Sequence, residues 1–304
     1  MLVQIILPIV LPQYIVDGLI QGKAYRTVLW YIFLFAVGTI VTSSATYLLK
    51  SAIYVRSMTL RFKLIIESGK KFLTMKYMNF EDPNILDLSE RGDRATENNA
   101  SGIEGILHRF ANYGGNLLTF LVLMVLILQV NLGIALLCLL LLAITYIVSF
   151  QAGKYEKKVQ DGLTITNRKW DYIIGILSDV GYYKDIFIFQ MQTTIFGKLS
   201  LLGEKKRDGF KKISNRNNLR NNIFSLLLAV QQIAIYAVFS TLVFNQTISI
   251  GEYTMYVAAV ATFYTTAKQT IDDSVFILYQ NEYVNDFRTF LNLDIDDDRK
   301  EFKP

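Results

Sequence analysis

The residue types that carry most enzyme chemistry are scarce in this chain of 304 residues. His108 and Cys138 are each the only residue of their type, so one chain can form neither a disulfide nor a thiolate metal site. Metalloprotease HExxH and hydrolase GxSxG motifs are missing, and every Gly-Lys pair lacks the earlier glycine that a phosphate-binding loop requires. The glycines of these pairs are Gly22, Gly69, Gly153 and Gly197. The sequence therefore predicts no catalytic cluster, no metal site and no ATP-binding loop among these residues.

Polar side chains instead recur at helical spacing within three apolar segments. Steps of three, four and seven residues place side chains on one face of a helix. The faces are Asn112 and Asn116 in the first segment, Asn222, Ser225, Gln232 and Tyr236 in the second, and Thr266, Gln269 and Asp273 in the third. Because polar groups are unfavourable against lipid, we expect these faces to turn towards a bundle interior or a water-filled cavity. For any single residue, a hydrogen bond between helices, at about 0.6 kcal/mol, is the alternative.

The elements that must position these side chains are membrane-spanning helices. The chain is 52% apolar and 19% charged, with a mean hydropathy of +0.31, whereas soluble domains are about 25% charged. Its apolar runs are long enough to cross the hydrocarbon core of a bilayer, which takes roughly 20 residues. We predict six spans, at residues 2–20, 28–49, 110–129, 132–150, 223–244 and 253–271. The predicted fold class is all-α, that of a polytopic membrane protein.

Connections between the spans alternate in length and in charge. Those after spans one, three and five are short, whereas those after spans two and four have about 60 and about 70 residues and hold most lysines and arginines. Positive residues mark the cytoplasmic side, so both long connections and both chain ends are predicted to be cytoplasmic. We assign the net charge of +5 to this topology and not to a nucleic-acid partner.

Both long connections have the periodicity of helices. Residues 50–78 and 153–189 contain no proline, and apolar residues recur in the first of them at helical spacing. We predict that span two continues as one helix over residues 27–78, and span four over residues 132–187. At 1.5 Å per residue such helices are about 75–80 Å long. A bilayer core takes up roughly 30 Å, so on the order of 45 Å of each would extend into the cytoplasm.

The ends of these two helices carry motifs of a known family. The first end reads YMNFEDPNILDLSERGDRA at residues 77–95, and the second reads DVGYYKDIFIFQMQ at residues 179–192. These segments resemble the intracellular loops in the transmembrane domains of bacterial ABC (ATP-binding cassette) exporters. Many bacterial members have FEDP followed by an acidic residue and an Arg-Ala pair, here Asp87 and Arg94-Ala95, and then KDIR in the second loop. Phe187 replaces that last arginine, which leaves the subfamily open.

The resemblance implies a six-helix type I exporter fold with two short coupling helices, at residues 83–88 and 189–196. Asp82 and Pro83 also suit a helix start, as an N-cap and a first-turn proline. In the family these segments contact a nucleotide-binding domain, which implies a coupling role for seven residues. They are Phe80, Glu81, Asp82, Pro83, Phe189, Gln190 and Phe196. Without the resemblance, both segments would be interpreted as turns of a helical hairpin.

The resemblance also implies partners. A second membrane half, identical or similar, would complete the substrate pathway in the bilayer, with the polar faces as its lining. ATP and Mg²⁺ would bind to nucleotide-binding domains and not to this chain. We predict a transmembrane domain at residues 1–293 and the start of a linker towards such a domain at 294–304, in a bacterial plasma membrane. The sequence does not define the exported substrate.

Two other classes of membrane protein are alternatives. A secondary transporter driven by an ion gradient would use ionisable groups near the midplane, yet spans three to five have no acidic residue in their apolar runs. A membrane-embedded enzyme would need the catalytic cluster that the sequence lacks.

Overall fold

The computed structural model describes residues 2–130 and 132–293, and these form helices joined by short connections, without a strand. The helices are α1 Leu2–Ile20, α2 Tyr25–Thr74, α3 Pro83–Asp93, α4 Gly102–Val130, α5 Leu132–Gly162, α6 Thr164–Ser178, α7 Tyr183–Ile188, α8 Gln192–Phe244 and α9 Ile250–Leu291. Two 3₁₀ turns, Tyr77–Glu81 and Val180–Tyr182, precede α3 and α7. The all-α prediction is confirmed, and the predicted linker at 294–304 lies outside the described residues.

Within the described part of the chain, five helices are long and apolar enough to cross a membrane: α1, α2, α4, α5 and α8. They contain the first five predicted spans. The sixth lies in α9, which is less apolar because it carries polar residues such as Lys268 and Asp272. Val260, Phe263 and Tyr264 of α9 are nevertheless completely buried. The apolar face of α9 therefore packs inside the protein.

The chain forms two compact units, which we call the membrane unit and the arm unit. The membrane unit comprises Met1–Thr59, Ile106–Phe150 and Asn221–Ile277, and the arm unit comprises Leu60–Gly105, Gln151–Arg220 and Leu278–Pro304. By sequence, 25 of the 31 lysines and arginines belong to the arm unit. This division matches the separation of apolar and charged segments that the sequence predicts.

Each unit has its own apolar core. The core of the membrane unit is built around residues of α5, α8 and α9, among which Cys138, Ile235 and Ala259 have no exposed surface. In the arm unit a smaller cluster contains Tyr283 and Phe287 of α9. Both units therefore have a buried framework on which exposed side chains can be positioned.

One predicted helix is interrupted. The prediction of a continuous helix over residues 132–187 is wrong, because α5 ends at Gly162 and α6 begins at Thr164. Glycine has a low helix propensity, and the backbone N–H of Leu163 donates to the carbonyl of Gln160 at 3.0 Å in a tighter turn. Thr164 is buried and accepts a hydrogen bond from Arg94 at 3.0 Å. A long-range contact thus fixes the position of the break.

Candidate coupling tips and polar membrane face

The first candidate site, the first tip, comprises residues 77–93 of the arm unit. α2 ends at Thr74 instead of continuing to residue 78 as predicted. Lys76 has an extended backbone, with φ −61° and ψ 140°, and leads into the 3₁₀ turn Tyr77–Glu81. The α-helix therefore ends before the FEDP segment, and the chain turns there.

A side-chain cap starts the short helix of the first tip. The carboxylate of Asp82 accepts a hydrogen bond from the backbone N–H of Asn84 at 2.8 Å, and Pro83 occupies the first helical position. Proline suits this position because its missing N–H would be unpaired there in any case. The predicted N-cap and start are confirmed, but α3 extends to Asp93 instead of ending at residue 88.

The outer surface of the first tip is apolar and exposed. Tyr77, Met78 and Phe80 are exposed by 79%, 75% and 41%, and the ring centroids of Tyr77 and Phe80 lie 6.5 Å apart. Glu81 and Pro83 are exposed as well. Tyr77 and Met78 were not predicted to belong to this surface, although two large apolar residues directly before the motif were a usable signal.

The inner side of the first tip is fixed to the rest of the arm unit. Nε of Arg91 donates to Oδ2 of Asp286 at 3.3 Å, and Asp87 forms an ion pair with Arg168. A Cβ added at Gly92 would lie 3.0 Å from the Cα of Phe287, so glycine permits this close approach of α3 and α9. Contacts with α6 and α9 therefore hold the exposed outer surface in place.

The Arg-Ala pair of the motif has a structural role here. Nη2 of Arg94 donates to Oγ1 of Thr164 at 3.0 Å, and its guanidinium lies 5.4 Å from the ring centroid of Tyr283. Ala95 is 1% exposed and packs in the small core of the arm unit. These residues attach the first tip to α6 and α9.

Burial changes the acid-base properties of this region. Burial raises the pKa of Glu90 above its ordinary value, and the charge of Asp171 acts in the same direction. Burial also raises the pKa of Asp93 and raises the pKa of Tyr283 to about 12. Tyr283 therefore stays a neutral hydrogen-bond donor, and its hydroxyl donates to Oε1 of Gln160 at 3.0 Å.

The second candidate site, the second tip, comprises residues 179–196 of the arm unit. The side chain of Asp179 accepts a hydrogen bond from the backbone N–H of Gly181 at 2.8 Å and starts the 3₁₀ turn Val180–Tyr182. α7 follows at Tyr183–Ile188. The predicted coupling helix at residues 189–196 is therefore wrong, because the short helix begins before that segment.

The chain reverses direction directly after α7. Gln190 has a φ of +50°, a left-handed conformation that is uncommon for residues other than glycine. The backbone N–H of Met191 donates to the carbonyl of Ile186 at 3.0 Å and closes the turn. Phe189 and Gln190 thus lie in the turn, and Phe196 lies near the start of α8.

The second tip also presents an exposed apolar surface. Phe189 and Phe196, the two predicted anchors, are exposed by 70% and 60%, and Gln190 is exposed beside them. Phe187 and Ile188 of α7 are exposed by 76% and 58%. In the sequence Phe187 stands out only as a departure from the motif, although the apolar run at residues 186–189 was a signal for this surface.

The structure divides the predicted polar faces of the membrane unit. Asn116, Thr266 and Asp273 are buried, and Asn112 and Gln232 are half-buried. The exposed members are Asn222, Ser225, Tyr236 and Gln269. The exposed set belongs to α8 and α9 and lies outside the core of its own unit.

Asp272 and Asp273 of α9 each pair with a basic side chain. Nη1 of Arg109 donates to Oδ1 of Asp273 at 2.7 Å, and the guanidinium lies 3.9 Å from the ring centroid of Phe276. Nζ of Lys268 donates to Oδ2 of Asp272 at 2.6 Å. Asp273 therefore has a structural partner, and a role in the pathway is not required to explain it.

Gln231 is a buried polar residue that the sequence did not identify. Gln231 has no exposed surface, and its Nε2 donates to the carbonyl of Val260 at 3.1 Å. The hydroxyls of Tyr264 and Thr145 form a second bond at 3.0 Å. Hydrogen bonds between helices therefore account for the presence of these polar residues, and a pathway is not needed. Helical spacing alone could not distinguish the buried Gln231 from its neighbour Gln232.

The long apolar helices and the helical arms with their two tips define the transmembrane fold of an ABC exporter. The described structure is similar to the solved structure of a bacterial Atm1-family ABC exporter with ATP bound, with a TM-score of 0.71. The match covers 96% of this chain and 52% of that chain at 11% sequence identity, so this chain spans about half the length of that protein. No family model and no curated protein matches the sequence. At this identity, the likeness shows the fold.

Proposed function

We propose that this chain is the membrane half of an ATP-driven exporter, in which the two tips transmit movements of nucleotide-binding domains to the membrane unit. The observation that carries the proposal is the pair of exposed apolar tips on the arm unit. Exposed aromatic clusters on a rigid support are characteristic of surfaces that bind another protein. The ABC exporter fold supplies the kind of partner that would cover them.

In this proposal the chemistry of ATP resides in nucleotide-binding domains, either on the same polypeptide or on a separate chain. ATP and Mg²⁺ bind to the nucleotide-binding domains, and this chain contributes the contact surface and the pathway. The phosphate-binding loop that such a domain needs does not occur in the sequence. In this proposal residues 1–293 receive movement from the ATPase domains.

The pathway in this proposal is completed by a second membrane half. Asn222, Ser225, Tyr236 and Gln269 are polar yet exposed in the single chain. Lipid is an unfavourable environment for such groups. A second half facing them would enclose the polar side chains around a route for the substrate, with both chain ends on the cytoplasmic side.

The test uses the natural complex reconstituted in lipid vesicles. Phe80→Ala, Glu81→Ala, Phe189→Ala and Phe196→Ala should each reduce transport while ATP hydrolysis continues, because force transmission is lost and the membrane unit is unchanged. Transport of the substrate and ATP hydrolysis are measured for each variant. Phe62→Ala is the matched control, since Phe62 is an exposed aromatic residue of the arm unit outside both tips.

Normal transport by all four tip variants would show that the two segments are hairpin turns. Loss of transport in Phe62→Ala to the same degree would also contradict the proposal, because the effect would then not be specific to the tips.

A further inference from the structure

A half-open groove of about 870 Å³ lies in the arm unit, apart from the outer surfaces of the two tips. Its walls are α6 on one side, the start of α8 on the other, and part of the second tip. The volume falls within the range of about 300–1,000 Å³ that is typical of small-molecule sites. Asp185 and Ile186 of its lining belong to the KDI sequence of the second loop, but no ligand site was predicted here from the sequence.

The floor of the groove is apolar. Ile173 and Ile176 of α6 face Ile195, Leu201 and Leu202 of α8 across it. Leu202 is buried, whereas the isoleucines are half-buried. Such a floor favours an aliphatic chain over a polar solute, because binding removes the apolar surface of both from water.

The rim of the groove is positively charged. Lys169, Lys198 and Lys205 line it, and all three are exposed. A fourth cation, Arg168, is neutralised by its ion pair with Asp87. Among the lining residues of the described groove, Asp185 is the one acid, so the rim keeps a net positive charge.

We propose that this groove binds a long-chain carboxylate, with the aliphatic chain on the isoleucine and leucine floor and the carboxylate at the lysine rim. An apolar floor with a cationic edge matches a molecule that is apolar along its length and negative at one end. A neutral amphiphile would leave the rim lysines without a partner, and a cationic one would be repelled by them. The inference does not depend on the proposed transport function.

The site borders the second tip. Tyr182, Ile186 and Met191 of the tip belong to the lining. Met191 is also the residue whose backbone N–H closes the reversal after α7. A bound aliphatic chain would therefore contact the turn that positions Phe189 and Gln190, which gives the ligand a route to influence the tip.

Trp170 provides a reporter for the test. It lies on α6 next to Lys169, and a Cβ at Gly203 of α8 would lie 3.3 Å from its ring. The chain has two tryptophans, so Trp30→Phe leaves Trp170 as the single tryptophan, which is excited selectively at wavelengths where tyrosine does not absorb. Bromine-labelled stearate, added to the full chain in a non-ionic detergent, should quench Trp170 saturably. A brominated long-chain amine of equal length should not.

Charge variants test the rim directly. Lys198→Gln and Lys205→Gln should weaken binding of the stearate by about five-fold each, the effect expected for one lysine near an anionic headgroup. Lys184→Gln is the control, because Lys184 is an exposed lysine of the same tip that does not line the groove. Quenching in the control should match that of the parent protein.

Three results would overturn the proposal: no saturable quenching, equal quenching by the amine, or unchanged affinity in the two rim variants. If two copies of the chain instead meet at this groove, Leu201→Cys in a Cys138→Ser background should form a cross-link between copies while stearate fails to quench. That outcome would make the groove an interface between copies and would also reject the carboxylate site.

Discussion

The polar residues of the membrane unit belong to two groups that differ in their surroundings. Gln231 and Asp273 are buried and have partners on neighbouring helices. Asn222, Ser225 and Gln269 are exposed in the single chain. Because a partner explains the first group, the second group carries the evidence for a pathway.

Cysteine labelling distinguishes a pathway from a lipid-facing surface. In a Cys138→Ser background, Asn222→Cys and Gln269→Cys should react rapidly with a water-soluble thiol reagent, because a pathway contains water. Leu227→Cys and Ala259→Cys should not react, since both positions are buried. The measurement is the fraction labelled in intact membranes.

An exposed apolar position provides the control for lipid. Val125 is 56% exposed on α4, and Val125→Cys should resist the water-soluble reagent because lipid covers it. Labelling of Val125→Cys as fast as Asn222→Cys would contradict the pathway assignment.

The raised pKa of Glu90 makes a prediction about stability and pH. A carboxyl group whose pKa is raised by folding binds protons more tightly in the folded state, so its charged form destabilises the fold at neutral pH. The destabilising effect of Glu90 on the free energy of unfolding should therefore become smaller as the pH falls towards its raised pKa. Glu90→Gln should therefore raise the melting temperature at neutral pH, by an amount that shrinks on acidification.

Glu81 is an exposed acid of the same tip and provides the control substitution. Glu81→Gln removes a charge from an exposed position and should change the melting temperature at neutral pH less than Glu90→Gln does. A melting temperature of Glu90→Gln that stays below that of the parent protein at neutral pH would show that the charged form stabilises the tip.

At the level of elements, the two tips show which structural signals are local. Asp82 and Pro83 start α3 as predicted, because a cap and a first-turn proline act within a few residues. The second short helix was misplaced, because no residue type marks the reversal at Gln190. The break at Gly162 was missed as well, since it depends partly on Arg94, 70 residues away from Thr164.

The cap of α3 can be tested by two substitutions at one position. Asp82→Ala should destabilise the start of α3 by about 1 kcal/mol, because the N–H of Asn84 loses its acceptor. Asp82→Asn should retain most of the stability, since asparagine is also a good N-cap. Hydrogen exchange of the amides in residues 84–88 measures the effect, and equal protection in all three proteins would exclude a capping role.

At the level of the whole molecule, composition and helix order were sufficient to predict the all-α membrane fold. Apolar runs, uninterrupted helical periodicity and clustered lysines are properties of the chain itself. Two other features could not be predicted in this way, because they depend on which helices become neighbours. They are the ion pair of Arg109 with Asp273 and the groove between α6 and α8. The same limit applies to the division of polar faces into buried and exposed members.

The exposed polar residues of α8 and α9 predict a two-fold assembly. A second membrane half would cover Asn222 and Gln269, which a single chain leaves exposed. Native mass spectrometry of the natural protein in mild detergent should show a species with two membrane halves, identical or similar. A stable single half that carries out transport would contradict this prediction.

The most direct test of the central claim is photo-cross-linking from the tips in native membranes. A photoreactive amino acid at Phe80 or Phe189 should form cross-links to peptides of a nucleotide-binding domain that contains the GxxxxGK phosphate-binding motif. The same group at Phe62, outside both tips, should not. Cross-linked peptides are identified by mass spectrometry. Cross-links from both tips only to lipid or to other residues of this chain would contradict the account.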